Sequence, residues 1–215
     1  MQGGPLCKAA YLTTHRTSPK MDGMSALRKP ALVSEEEYFA ITDASELRQE
    51  YVNGQVCAMA DPSDAHETIS GNVFGPLHQH LRKHPCRVFS GNKRVRVAFL
   101  NRAFHYYPDV MVICDPKNGD SRFKENPVLV IEVLSPSTEN TDIREKMFAY
   151  LNTESVKHYV IIAQEKKEII VYRRVPPPDG WEVETLTEDA DILRVPDLGF
   201  SMTLADVYEK VEFAS

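Results

Sequence analysis

Hydrophobic residues recur along this chain at two different periods, and the alternation between them predicts most of its elements. Ile69, Val73, Leu77 and Leu81 recur every four residues and mark one apolar stripe of a long helix, expected over 64–83. After Pro85 the pattern changes to short runs typical of strands, at 86–90, 95–99, 109–114 and 128–134. A helix is expected at 141–151, with Ile143, Met147, Tyr150 and Leu151 on its core-facing stripe. Strands follow at 158–163, 168–173 and 182–186, then a short helix at 204–210. Upstream, Ser34 with Glu37 at the capping-box position opens a short helix over 34–41. The runs 47–52 and 55–60 flank Asn53-Gly54 and read as a β-hairpin, because Asn-Gly supplies the two positive-φ residues of a type I′ turn. The sum is an α/β chain: a mixed central β-sheet flanked by helices, with an N-terminal hairpin and C-terminal strands. Residues 1–23 show no hydrophobic period. The expectation is a disordered extension over 1–30 and one folded domain over 31–215, with Met24 as an alternative start.

Composition narrows the partners. An apolar fraction of 42% suffices for a proper core. A net charge of −6 excludes a basic nucleic-acid coat, so any surface for nucleic acid must be a local cluster. Lys93, Arg94, Arg96 and Arg102 form the densest basic stretch, which reads equally well as a solvated strand and turn. The four cysteines, Cys7, Cys57, Cys86 and Cys114, include no CxxC pair and no adjoining His cluster. That argues against zinc and against a disulfide framework, and fits reduced thiols in a reducing cytoplasm. No window reaches the roughly 18 to 20 apolar residues of a membrane span. The first 20 residues lack the apolar stretch of a secretory signal.

Chemistry concentrates in a few polar residues set among apolar ones. Pro108-Asp109 opens a strand, where proline is tolerated, and leaves a carboxylate at a sheet end. Alone it is as well read as a turn cap. The run Val128-Leu-Val-Ile-Glu132-Val-Leu is stronger, since so apolar a strand is buried on both faces. A carboxylate in its middle must be paired, hydrogen-bonded or metal-bound. Ser135 and Thr138 are explained by a turn and a helix cap. Lys146 lies at the border of the following helix's core stripe, within reach of the strand that carries Glu132. Its alternative partner is Asp142, at i, i+4. Glu50, on the hairpin, is ordinary for a solvent-facing strand. Taken together, the carboxylates could hold a hard divalent ion through oxygen, and a lysine beside it could serve the attacking water or the developing charge. No G-x-S-x-G elbow, Walker A or G-x-G-x-x-G is present. A two-carboxylate glycosidase would need a cleft with several aromatics, yet Trp181 is the only tryptophan.

The order of these pieces carries a resemblance. An acidic-Tyr-x-x-Gly hairpin, a His-led helix, a Pro-Asp strand, Glu132-Val-Leu-Ser-Pro-Ser-Thr138, then Asp142 and Lys146 together resemble the Uma-type restriction endonucleases of the PD-(D/E)xK superfamily. The likeness covers roughly residues 31–212. It implies a restriction-endonuclease-like core and hydrolysis of nucleic acid, DNA first, with Mg²⁺ or alternatively Mn²⁺. It also implies Asp109 and Glu132 as metal ligands, with the Val133 carbonyl as a further one. The superfamily's lysine normally lies two residues after the acid, but position 134 is Leu. The resemblance therefore assigns that role to Lys146. It gives Glu50 the extra acidic position, and gives His66 a contact to phosphate or water, with a capping or core histidine as the equal alternative. A homodimer is expected, because two strands need two sites. The competing reading is a catalytically silent binding module that keeps the fold.

Overall fold

Both faces of the run around Glu132 are covered, which places it in the interior of a sheet. The computed structural model describes residues 32–59, 61–99, 102–115, 120–134, 142–177 and 180–213, with the main chain alone at 142 and 143. The expected extension over 1–30, and Ser135 and Thr138, lie outside these residues. The chain divides into two units, Met1–Ala60 and Asp61–Ser215.

In the first unit, α1 (Glu35–Asp43) opens on a capping box. Glu37 N–H donates to Ser34 Oγ at 3.1 Å, and Ser34 N–H to the Glu37 carboxylate at 2.6 Å. Strands β1 (Gln49–Val52) and β2 (Gln55–Ala58) form an antiparallel hairpin. Asn53 and Gly54 turn it with φ of 50° and 86°, as a type I′ turn requires. The Tyr38 hydroxyl donates to the Gln49 carbonyl at 2.6 Å and fastens the helix to β1.

The second unit begins with α2 (Asp64–His80), whose first turn is capped by Ser63. The helix tightens into a 3-10 turn over Leu81–Lys83. Then follow β3 (Arg87–Ser90), β4 (Arg94–Phe99), β5 (Arg102–Tyr106), β6 (Val110–Ile113), β7 (Phe123–Lys124) and β8 (Leu129–Leu134). Helix α3 (Asp142–Leu151) leads to β9 (His158–Ala163), β10 (Ile169–Arg174), β11 (Trp181–Leu186), β12 (Ile192–Val195), β13 (Phe200–Thr203) and α4 (Leu204–Val207). The main sheet has the order β11-β10-β9-β8-β6-β3. It is mixed: β8 and β9 run parallel, joined through α3, and the other pairs are antiparallel.

Register assigns the two faces. Val110, Val112, Leu129, Ile131, Val133, Val160 and Ile162 share one core with Ile69, Val73, Leu77 and Leu81, the stripe of α2. At about 25 cal/mol per Å² of apolar surface, each such side chain contributes roughly 1.5–3 kcal/mol. On the opposite face Tyr159 meets Tyr150 of α3, ring centroids 5.3 Å apart. A smaller sheet, in which β4 pairs antiparallel with β5 and parallel with β7, packs Tyr106 against the same Tyr150 at 5.6 Å. Helix α3 thus bridges two sheets.

Three features depart from the sequence reading. Strands β5, β7, β12 and β13 were not expected. Glu50 is buried, 5% exposed, rather than facing solvent. The expectation of reduced cysteines fails, for no described cysteine is a free thiol and Cys86 is disulfide-bonded to Cys114. The cause is register. Arg87 pairs with Ile113, so the next step along both strands sets Cys86 opposite Cys114. No helix among the described residues is long and apolar enough to cross a membrane.

Candidate metal-binding active site

The pairing of β6 with β8 brings the two central carboxylates together. Val110 is opposite Ile131, and continuing that register by one residue sets Asp109 opposite Glu132. Directly opposed residues share a sheet face, with Cβ atoms about 4.5–5.5 Å apart. Pro108 accounts for the local shape: it donates no hydrogen bond, so the ladder ends there and the Asp109 side chain folds onto the neighbouring strand. Asp109 Oδ2 accepts the Val133 N–H at 2.7 Å. In antiparallel pairing the N–H and C=O of one residue point to the same side. The Val133 carbonyl therefore points to that same side of β8, past the end of β6.

A nitrogen group stands beside each of the two carboxylates. His66, in the first turn of α2, places Nε2 3.3 Å from Asp109 Oδ2. Its own N–H is the one capped by Ser63, at 3.2 Å, so the histidine has its backbone in the cap and its ring at the site. Burial alone would push the ring's pKa down. The Asp109 carboxylate, the Glu67 charge and a hydrogen bond to the Val133 main chain outweigh it and hold the ring above its usual range. Lys146 Nζ lies 3.8 Å from Glu132 Oε2, with the two side chains only 12% and 6% exposed. The ammonium also sits 5.5 Å from the Tyr106 ring centroid, a cation–π distance. One turn further along α3, the Tyr150 hydroxyl donates to Glu132 Oε1 at 3.1 Å.

The structure thus gathers Asp109, Glu132, Val133, His66 and Lys146. Glu50, expected as a further acid, belongs to the other unit, where it pairs with Cys57 across the hairpin. Two partners escaped the sequence reading. Tyr150 was assigned to the core stripe, although its i, i+4 spacing from Lys146 already placed both on one helix face. Arg94 was counted as part of a basic surface. It is buried, and its Nε and Nη2 donate to the Tyr107 hydroxyl at 3.0 and 2.8 Å, two residues before Asp109. The basic stretch is therefore not one patch. Lys93 donates to the Ser121 carbonyl, Arg96 pairs with Glu125 at 3.1 Å, and only Arg102 is left exposed.

Among the described residues no three His, Cys, Asp or Glu side chains gather into a metal site. Two carboxylates and one main-chain carbonyl nevertheless fit a particular ion. Mg²⁺ is typically held by one or two carboxylates and keeps several waters. The imidazole of His66 lies against Asp109 and the ammonium of Lys146 against Glu132, so an ion held there would meet both groups at its edge.

A mixed sheet flanked by helices, with an acid at the end of one strand and another inside the next, is the restriction-endonuclease-like class of α/β fold. The chain superposes on a crystal structure titled as that of a "putative nuclease belonging to DUF820" from Anabaena variabilis, with a TM-score of 0.60 and 20% identity. The match covers 76% of this chain and 91% of that one. Residues 35–205 match the model of the Uma2 family, described as "Putative restriction endonuclease", and the chain belongs to that family. Two uncharacterized Synechocystis proteins are related to it. One, slr1290, is 30% identical over 84% of this chain and 94% of its own length. The other, sll1609, is 25% identical over 79% and 96%.

Proposed function

We propose that this chain is a divalent-metal-dependent endonuclease that hydrolyses phosphodiester bonds, those of DNA in the first place. The observation that carries the reading is the direct opposition of Asp109 and Glu132 on β6 and β8, with Lys146 beside them. Asp109, Glu132 and the Val133 carbonyl would hold Mg²⁺ or Mn²⁺. Such an ion supplies Lewis acidity at a phosphate oxygen and lowers the pKa of bound water.

The chain's own residues do the rest. Lys146 holds its ammonium against Glu132 at the site, where it would stabilise the negative charge that grows on the phosphoryl oxygens as water attacks. Tyr150 fixes the Glu132 carboxylate from the other side and narrows its rotamers. His66 orients Asp109 and offers a donor to phosphate or water. Cutting two strands needs two such sites, which a homodimer provides.

The test is cleavage of mixed DNA and RNA substrates with Mg²⁺ or Mn²⁺, against an EDTA control. Wild type should cut only with the ion, and Glu132→Ala and Lys146→Ala should each cut at least about a hundredfold more slowly. If both variants cut as fast as wild type, the assignment is wrong.

A further inference from the structure

Beyond the carboxylates, α3 carries a second feature on another side. Phe148 is 55% exposed, a large apolar ring left in water two residues after Lys146. It packs on Phe99, at the end of β4, with centroids 5.0 Å apart and planes at 89°. Arg102 is the cross-strand partner of Phe99 and is exposed. Arg144, also exposed, lies four residues before Phe148 and so on the same face of the helix. Neither arginine forms an ion pair among the described residues. Two aromatic rings are therefore framed by two arginines not neutralised by ion pairs, on a chain whose net charge is −6.

The position is also informative. Tyr106, under the Lys146 ammonium, is paired with Val95, four residues along β4 from Phe99. At about 3.3 Å per residue Phe99 lies roughly 13 Å along the strand from the Val95–Tyr106 pair over which the lysine sits.

We propose that Phe148, braced edge to face by Phe99 and framed by Arg102 and Arg144, binds an unpaired nucleotide of the substrate strand, its ring stacking on the base and the guanidinium groups holding the flanking phosphates. Rings with an open side stack on any base, and cations beside them track the backbone, which is how single strands are held without sequence preference. A second copy of the chain fits less well, since it would have to supply both an apolar surface and negative charge to two arginines. The proposal rests on the nuclease reading and adds to it a preference for unpaired strand.

The experiment is fluorescence anisotropy of short labelled oligonucleotides in EDTA: single-stranded DNA, single-stranded RNA and blunt duplex DNA. Wild type should prefer the single strands. Phe148→Ala should weaken single-strand binding by about 5- to 150-fold, with Phe148→Leu equally weak and Phe148→Trp within about twofold of wild type. Arg144→Gln should reduce the salt slope by about 0.7. The proposal is overturned if wild type does not prefer single strands, or if the Phe148→Leu variant binds them as well as wild type does. It is equally overturned if Phe148→Ala abolishes self-association in ultracentrifugation while leaving single-strand affinity unchanged. No divalent ion is present, so failure here leaves the cleavage reading intact, and an uncleaved substrate would not bear on binding.

Discussion

Replacing Lys146 by methionine keeps most of the buried stem and removes only the ammonium that faces Glu132. Removing one partner of a buried ion pair costs about 3–5 kcal/mol, because the remaining charge stays buried. Here the separation is 3.8 Å and the Tyr150 hydroxyl still donates to Glu132 at 3.1 Å. The lower end therefore applies, about 3 kcal/mol. For a chain of this size that lowers Tm by roughly 6–12 °C. Adding Glu132→Gln to Lys146→Met removes the stranded charge and should recover about 2 kcal/mol, so the double variant is more stable than Lys146→Met alone. The assay is thermal and urea unfolding of the four proteins in EDTA at neutral pH, read as a double-mutant cycle. If the two substitutions add to within about 0.5 kcal/mol, the ammonium and the carboxylate do not interact and the electrostatic reasoning is refuted.

Further outcomes follow from the same geometry. Mn²⁺ should compete with the proton on His66: affinity rises with pH until the ring, held above its ordinary range by Asp109, is neutral. In His66→Ala that dependence should flatten, as metal titrations at several pH values will show. His158, whose Nε2 lies 2.7 Å from Asp197, behaves in the opposite way, since burial, together with the charges of Arg173 and Lys157, holds its pKa below the ordinary value despite Asp197. Its contribution to stability is complete above the unfolded value near 6.5 and is lost as pH falls from there toward the folded value. His158→Gln should be less sensitive over that window in acid unfolding curves. The Cys86–Cys114 bond spans 28 residues and should contribute about 3–4 kcal/mol by chain entropy. Cys114→Ser should then melt roughly 6–16 °C below the wild type, both proteins compared without reductant.

What could be read in advance depended on whether the signal was local. The stripe of α2, the Asn53-Gly54 turn and the apolar run of β8 each stand within one short window, and each appears where the pattern placed it. Strand β5 was hidden because His105 and Tyr106 face opposite ways and both are buried, so no polar–apolar alternation marks it. Strands β12 and β13 do alternate, through Leu193, Val195, Phe200 and Met202. At four residues each, however, they are too short to stand out around the turn at Gly199. The disulfide and the Asp109–Glu132 opposition share one cause: both are products of strand register, which no spacing within a segment reveals. Lys146 was legible as a border residue of its helix, but its contact with Glu132 depends on where α3 lies between the sheets.

The most direct measurement is a calorimetric titration of the metal-free protein with Mn²⁺. The account predicts one ion per wild-type chain, with binding lost in both Asp109→Asn and Glu132→Gln while both variants remain folded. Undiminished binding in either variant would show that these two carboxylates do not share an ion, and would contradict the account at its centre.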